Sequence, residues 1–384
     1  MKLLVLFIGF LFFCVSELSQ AQDIDVSGHF KYQPSVSWTK QNSLQRFFGK
    51  DTLHSQEFDI RENVQSESGP FTFDIQGEFL GLGGTSYSTL EKQSLFLGQD
   101  LSLLPDDDTQ LFDLSTRALD DNNFAAVARL DRLSLRYTTD QTVIKIGRQA
   151  VSFGNGLAFH VLDLFTPFSP LAIDKDYKTG ADLLYAQYLF SGGSDIEGVI
   201  VPRRSLETGD IEHNVSSYAL HYHTPLPSLG GELSTLVTQH YNNWNFGSGL
   251  TLNIGEALWR GDVLVERTAE NETVFSLVTN IDRSWILSGH NIYTYIEYYR
   301  NGLGRSHRDY SLSPSELTGK ISRGELFVLG RDFLAAGVQI EFMPLWNMFF
   351  NQIFHANDGS GYSQIRSEHD LYQDITLMIG TNIP

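Results

Sequence analysis

From Val26 to Thr39 the chain alternates without a break. Even positions read Val26, Gly28, Phe30, Tyr32, Pro34, Val36 and Trp38, and odd positions read Ser27, His29, Lys31, Gln33, Ser35, Ser37 and Thr39. Successive side chains of a strand point to opposite faces, so this pattern predicts a strand with one apolar and one polar face. Such a strand is about twice as long as a common soluble one, and a tilted crossing of a bilayer takes about 9–11 residues. The period returns at Phe71–Phe79, Leu133–Tyr137, Trp259–Val265, Leu334–Phe342 and Ile375–Ile379. Less regular segments at 57–67, 142–150, 180–190, 194–203, 216–225, 231–242, 246–254, 272–281, 288–299, 346–355 and 361–369 bring the total to seventeen candidate strands.

The connections sort by length. Short turns are expected at Ser68-Gly69-Pro70, Thr138–Gln141, Ser191–Ser194 and Met343–Leu345, and long loops at 40–56, 83–125, 151–179, 203–215 and 300–332. Long loops at one end and short turns at the other are the mark of an outer-membrane barrel. The fold class expected is therefore all-β: an up-and-down antiparallel transmembrane β-barrel of 16–18 strands, with long extracellular loops and short periplasmic turns. Bacterial single-chain barrels have an even strand count. Seventeen strands ending at Asn382-Ile383-Pro384 leave two readings, a count that is one off or, the one preferred, a closing strand missing from the C-terminal end. Trp38, Tyr137, Trp244, Trp259, Tyr298, Tyr299 and Trp346 fall near predicted strand ends, where amphipathic rings form interfacial girdles.

The first residues set the compartment. Met1-Lys2 is a short basic start, Leu3–Val15 is apolar, and Ser19-Gln20-Ala21 fits a cleavage site before Gln22. This order is a secretory signal peptide, residues 1–21, which leaves 22–384 as one barrel domain in the Gram-negative outer membrane. Cys14 lies inside the apolar run with Phe13 before it, against the small residue that lipidation requires. It is the single cysteine, so a mature chain cut at Ala21 has no disulfide and relies on its sheet. Thirty-three Gly, 12% aromatic residues and four Met suit strands and turns rather than helices. A net charge of −19 speaks against nucleic-acid binding.

The polar faces carry both signs. Lys31, Arg61, Arg132, Arg136, Lys145 and Arg260 are expected to face inward with Asp59, Asp74, Glu78, Asp262, Glu266 and Glu341. Charges facing a water-filled lumen escape the desolvation that would exclude them from lipid. The selectivity candidates are Lys31, Arg61, Asp74, Glu78, Arg132, Arg136, Lys145, Arg260 and Asp262, with the basic residues of the first five strands on one wall. Segment 151–179 holds the apolar stretch Leu157–Phe168 and either folds inward as a constriction or caps the rim. Asp106-Asp107-Asp108 reads as a solvated acidic loop, with Ca²⁺ binding as its rival. His221 and His223 share a strand face and read as polar lining, with a metal pair as the alternative. Arg148 is expected near the rim. No GxSxG, HExxH or Walker loop is present, and no cofactor is implied.

The stretches IGRQAVSFGNGLAFHVLDLFTPFSP (146–170), DKDYKTGADLLYAQYLF (174–190) and VPRR (201–204) resemble porin-like barrels of the alginate-export type. So do YIEYYRNGLG (295–304), LGRDFLAAGVQIEFMPLWN (329–347) and NDGSG (357–361). A barrel of this size leaves an aqueous channel, so the function expected is passive diffusion or export of polar solutes, with oligo- and polysaccharides as candidates. The balanced inward charge departs from the strongly basic lumen expected of an alginate channel. The alternatives are a barrel enzyme of lipase or protease type and a loop-plugged structural or adhesive barrel. Expected partners are outer-membrane lipid and lipopolysaccharide, a polar solute or oligosaccharide, and a second copy or envelope secretion proteins.

Overall fold

A computed structural model describes residues 23–41, 43–97, 104–167, 169, 177–307, 310 and 313–384. The expected signal peptide lies outside the described residues. Among the described residues eighteen strands make up the sheet, and the defined ladders are antiparallel, nearly all of them between strands consecutive in the chain. Among the described residues no helix is long and apolar enough to cross a membrane. The chain packs as two compact units, residues 1–149, 180–186 and 201–212 in the first and residues 150–179, 187–200 and 213–384 in the second.

The first unit holds β1 (Asp23–Trp38), α1 (Leu44–Phe48), β2 (Thr52–Ser68), β3 (Phe71–Gly83), α2 (Thr85–Leu97), β4 (Ser115–Asp121), β5 (Phe124–Thr138) and β6 (Thr142–Gln149). β1 pairs with β2 in strict register, Phe30 opposite Ile60 and Lys31 opposite Asp59, so the alternation of one strand is matched by its neighbour. Val26, Phe30, Tyr32, Val36, Trp38 and Ile60 stand exposed on one face, as lipid contact requires. β3 pairs with β5 directly, and β4 is a short hairpin partner of upper β5 inside the loop.

β7 (Ala181–Leu189) and β8 (Asp195–Val201) contribute residues to both units. The second unit continues through β9 (Ser217–Leu226), β10 (Gly231–His240), β11 (Asn243–Ile254), β12 (Ala257–Arg267), β13 (Thr273–Leu287) and β14 (His290–Arg300). It ends with α3 (Ser315–Ser322), β15 (Asp332–Met343), β16 (Trp346–His355), β17 (Gly361–Tyr372) and β18 (Ile375–Ile383). Antiparallel ladders join β9 to β10 and each successive pair to β18. The turns at one end are tight. Ser288 and Gly289 at φ 52° and 83° give the two left-handed residues of a hairpin turn whose twist suits the strands.

Several boundaries differ from the sequence reading, two of them strand starts in the first unit. β2 begins at Thr52 and β5 at Phe124, earlier than the alternation suggests. At this height the inward side is packed rather than wet: Tyr87 of α2 and Leu104 meet Leu82, Ala125 and Val127 in a buried cluster. Apolar residues on both faces erase the period of two that marks a strand beside water.

Candidate functional site: the inward faces of the strands

On the first unit the inward face of β2, β3 and β5 is a compact ion cluster. Arg61 reaches Glu78 at 2.8 Å and Asp131 at 3.1 Å, and Arg129 reaches Asp131 at 2.6 Å. Arg132 also pairs with Asp131. One carboxylate, 1% exposed, thus receives three guanidinium groups. The backbone amide of Gly180 adds a fourth donor at 3.0 Å. A Cβ on Gly180 would lie 2.2 Å from the Asp131 carbonyl oxygen, so only glycine comes this close. Asp131 is absent from the inward residues expected of the sequence because the β3–β5 register slips there, Gln76 facing Arg132 and Gly77 facing Leu130. The slip is a β-bulge, which turns both Asp131 and Arg132 inward. Its signal is the phase change from Ala126, Ala128, Leu130 to Leu133, Leu135, Tyr137.

Nearer the short-turn end, Arg136 and Lys145 face each other in register across β5 and β6. Both are partly exposed, and Lys145 Nζ lies 5.2 Å above the Tyr185 ring. Like charges directly opposite destabilise a sheet. Lys31 and Asp74 are also partly exposed, Asp74 accepting from Gln76 at 3.2 Å. Arg61 is paired with Glu78 and Asp131, and Arg132 with Asp131.

Arg148 stands at the end of β6, where the sequence places it near the rim, but a loop covers it. It is 1% exposed, donates to Asp107 at 2.6 Å and to Asp182 at 2.9 Å, and reaches the Phe112 carbonyl at 2.7 Å. Asp107 is therefore neither solvated nor open to Ca²⁺; its carboxylate is an anchor that holds the loop after residue 104 to β6 and β7. Among the described residues no group of three or more His, Cys, Asp or Glu is placed to hold a metal ion. His221 and His223 instead turn their Nδ1 atoms to Glu197 at 3.3 Å and Asp195 at 3.0 Å.

On the second unit the loop after β6 lies on the inward face of β11–β14. Asn155 donates from its backbone and side chain to Asp262, at 2.6 and 2.7 Å. The Glu297 carboxylate accepts the backbone amides of Leu157, Ala158 and Phe159 at 2.7, 3.1 and 2.8 Å, and Asn280 Nδ2 at 3.1 Å. Asp262 is 0% and Glu297 1% exposed. Asp262, expected to line the lumen as a selectivity charge, lies instead beneath this loop. Phe159 stacks on Tyr299 at 4.4 Å and meets Phe333 at 5.5 Å, with Phe333 stacked on His355 at 4.5 Å. Tyr299 therefore leaves the expected aromatic girdle, since β14 points it inward beside Glu297. Farther along the loop, Asp163 takes Lys178 at 2.6 Å. Arg260, partly exposed, pairs with Asp282.

The loop between β14 and β15 also folds inward. Burial pushes the Glu325 carboxyl up, but His240, Arg323 and Lys320 beside it outweigh that and hold it well below the usual carboxylate range. A carboxylate so depressed contributes stability that is complete above its unfolded value of about 4.3 and is lost as pH falls. Amide-exchange protection of residues 315–325 should hold from pH 7 to about 5 and fall below about 4. Loss of protection already at pH 6 would show that Glu325 does not hold the loop.

No family model matches the chain, and no curated protein matches it. Solved structures do. OccAB1 of Acinetobacter baumannii superposes with a TM-score of 0.53 at 8% identity, over 94% of this chain and 90% of that one. OpdK of Pseudomonas aeruginosa, solved with vanillate, gives 0.51 at 10% identity over 94% and 92%. A BenF-like porin from Pseudomonas fluorescens Pf-5 gives 0.51 at 8% identity over 94% and 93%. The fold is that of the outer-membrane porins: an up-and-down antiparallel transmembrane β-barrel with long extracellular loops and short periplasmic turns.

Proposed function

We propose that this protein is a passive channel of the Gram-negative outer membrane that admits small polar solutes and favours anions. A barrel of this strand number leaves an aqueous channel unless loops fill it. The observation that carries the anion preference is the Arg136–Lys145 pair, two cations in register on one inward face and partly open to water. A fold that accepts such a repulsive contact gains from it a local positive potential, which raises anion concentration along the wall. Asp74, partly exposed on the same unit, tempers the pair, while Glu78 is held by Arg61 and Asp262 takes no part. The vanillate bound in the OpdK structure is an anion of the size and charge that such a wall would favour.

Charge reversal tests the wall. In planar bilayers with a salt gradient, the wild-type reversal potential should indicate anion preference, and Arg136→Glu with Lys145→Glu should move it to cation preference. A reversal potential that the double change leaves in place would remove these residues from the pathway.

Two further readings have support. The motif resemblance at 146–170 and 329–347 favours export of an acidic oligosaccharide, which predicts that such sugars block the current. The loop seated on Asp262 and Glu297 favours a plugged barrel, which predicts no current. The channel reading does not call on a catalytic group.

A further inference from the structure

α3 does not project from its loop. Leu317 and Lys320 are buried, Leu317 in a cluster with Val274 of β13 and Leu303. Lys320 Nζ lies 2.9 Å from Glu266 of β12. Arg323, just after the helix, pairs with Glu325 at 2.6 Å, lies 3.7 Å from Glu316, and stands over the Tyr241 ring at 4.3 Å. Asn243 of β11 donates to Glu266 at 2.7 Å and to Glu316 at 2.8 Å. His240 of β10 completes the set. Its Nε2 is 3.1 Å from Glu325, its Nδ1 is 2.7 Å from the Ser217 hydroxyl of β9, and the rings of Tyr241 and Phe165 meet it edge-on. Among the described residues, His160 and Tyr299 are the further titratable groups lining the small cavity beside Glu325, with Phe159 stacked on Tyr299.

The charges can be counted. Glu266, Glu316 and Glu325 are three anions and Lys320 and Arg323 two cations; the side chains of Glu266, Lys320 and Glu325 are buried, and Glu316 and Arg323 close the cluster at its partly exposed edge. The cluster is neutral only when both nitrogens of the His240 ring carry protons. Nδ1–H can then donate to the Ser217 oxygen, and the charged ring stands beside the Glu325 carboxylate as an ion pair.

We propose that His240 is a pH-sensitive pin for α3: as imidazolium it balances the buried cluster and keeps the helix on β10–β13, and on losing its proton it releases the helix. An uncompensated charge in a buried site is strongly unfavourable, and lifting α3 admits water to Glu266 and carries Glu325 into solvent. The sign follows from linkage. A histidine that gains an anionic partner on folding contributes stability at low pH, lost as pH rises through its folded-state titration.

Trypsin reads the release, because Lys320 is buried while the helix is docked. The reconstituted protein is digested at pH 6.5 and pH 9, with a reference peptide to correct for trypsin's own pH dependence. Cleavage after Lys320 should rise about tenfold in the wild type, since fast opening makes cleavage follow the open population. His240→Gln should cleave quickly at both pH values. Glu316→Gln should cleave slowly at both, because two carboxylates then balance Lys320 and Arg323 beside a neutral imidazole. A flat wild-type profile would overturn the proposal, as would a rise that persists in Glu316→Gln or disappears in His160→Gln. If His240→Gln does not assemble, Glu316→Gln decides alone.

Discussion

Glu297→Gln should free the loop after β6 while leaving the barrel standing. The carboxylate accepts three consecutive backbone amides and one side-chain amide at 2.7–3.1 Å. Glutamine offers one acceptor oxygen and turns an NH₂ group towards donors, so at least two buried N–H groups lose their partner. Each unmet donor costs about 1–3 kcal/mol, which places the loss near 2–6 kcal/mol. Phe159 would then leave its stack on Tyr299, worth a further ~0.5–1.5 kcal/mol. The ladders of β13, β14 and β15 do not involve this loop. Exchange of the Leu157, Ala158 and Phe159 amides should accelerate by roughly a hundredfold, the equivalent of about 2.8 kcal/mol. The folded barrel should keep its mobility shift on unheated gels. If the three amides exchange at the wild-type rate, Glu297 is not the latch.

Asp131→Asn should destabilise the barrel itself. Arg61, Arg129 and Arg132 would converge on a neutral amide in a site where the carboxylate is 1% exposed. Removing one partner from a buried ion pair costs about 3–5 kcal/mol because the other charge stays behind unpaired. Three cations share this anion, and Glu78 relieves Arg61 and Arg129 only in part. The loss should therefore reach that range in urea unfolding from lipid or detergent. Adding Arg129→Met should recover part of it, since one unpaired guanidinium is removed. Stability within about 0.5 kcal/mol of wild type would show that the cluster is solvated.

The strands were legible because lipid and water lie on opposite sides of them. Phe30, Tyr32, Val36 and Trp38 are exposed on the face the alternation assigned to lipid, and all seventeen expected segments match strands. The eighteenth, β4, is a hairpin within a loop and has no lipid face to impose a period. Inward charges were legible as inward, but not as free or covered. Asp262 and Arg260 stand two apart on β12 with the same orientation, yet Asn155 of a distant loop buries only the first. Glu297 and Tyr299 were missed as loop anchors for the same reason. Their partners lie about 140 residues away, a contact that no local pattern encodes. Asp131 is a different case, for its bulge leaves a phase slip that can be read directly.

Purified protein in planar bilayers gives the sharpest test of the account. Folded, heat-modifiable protein should insert with discrete, ohmic current steps in salt alone, without any energy source. The same folded preparation resting in the membrane with no current above the bare bilayer would contradict the channel.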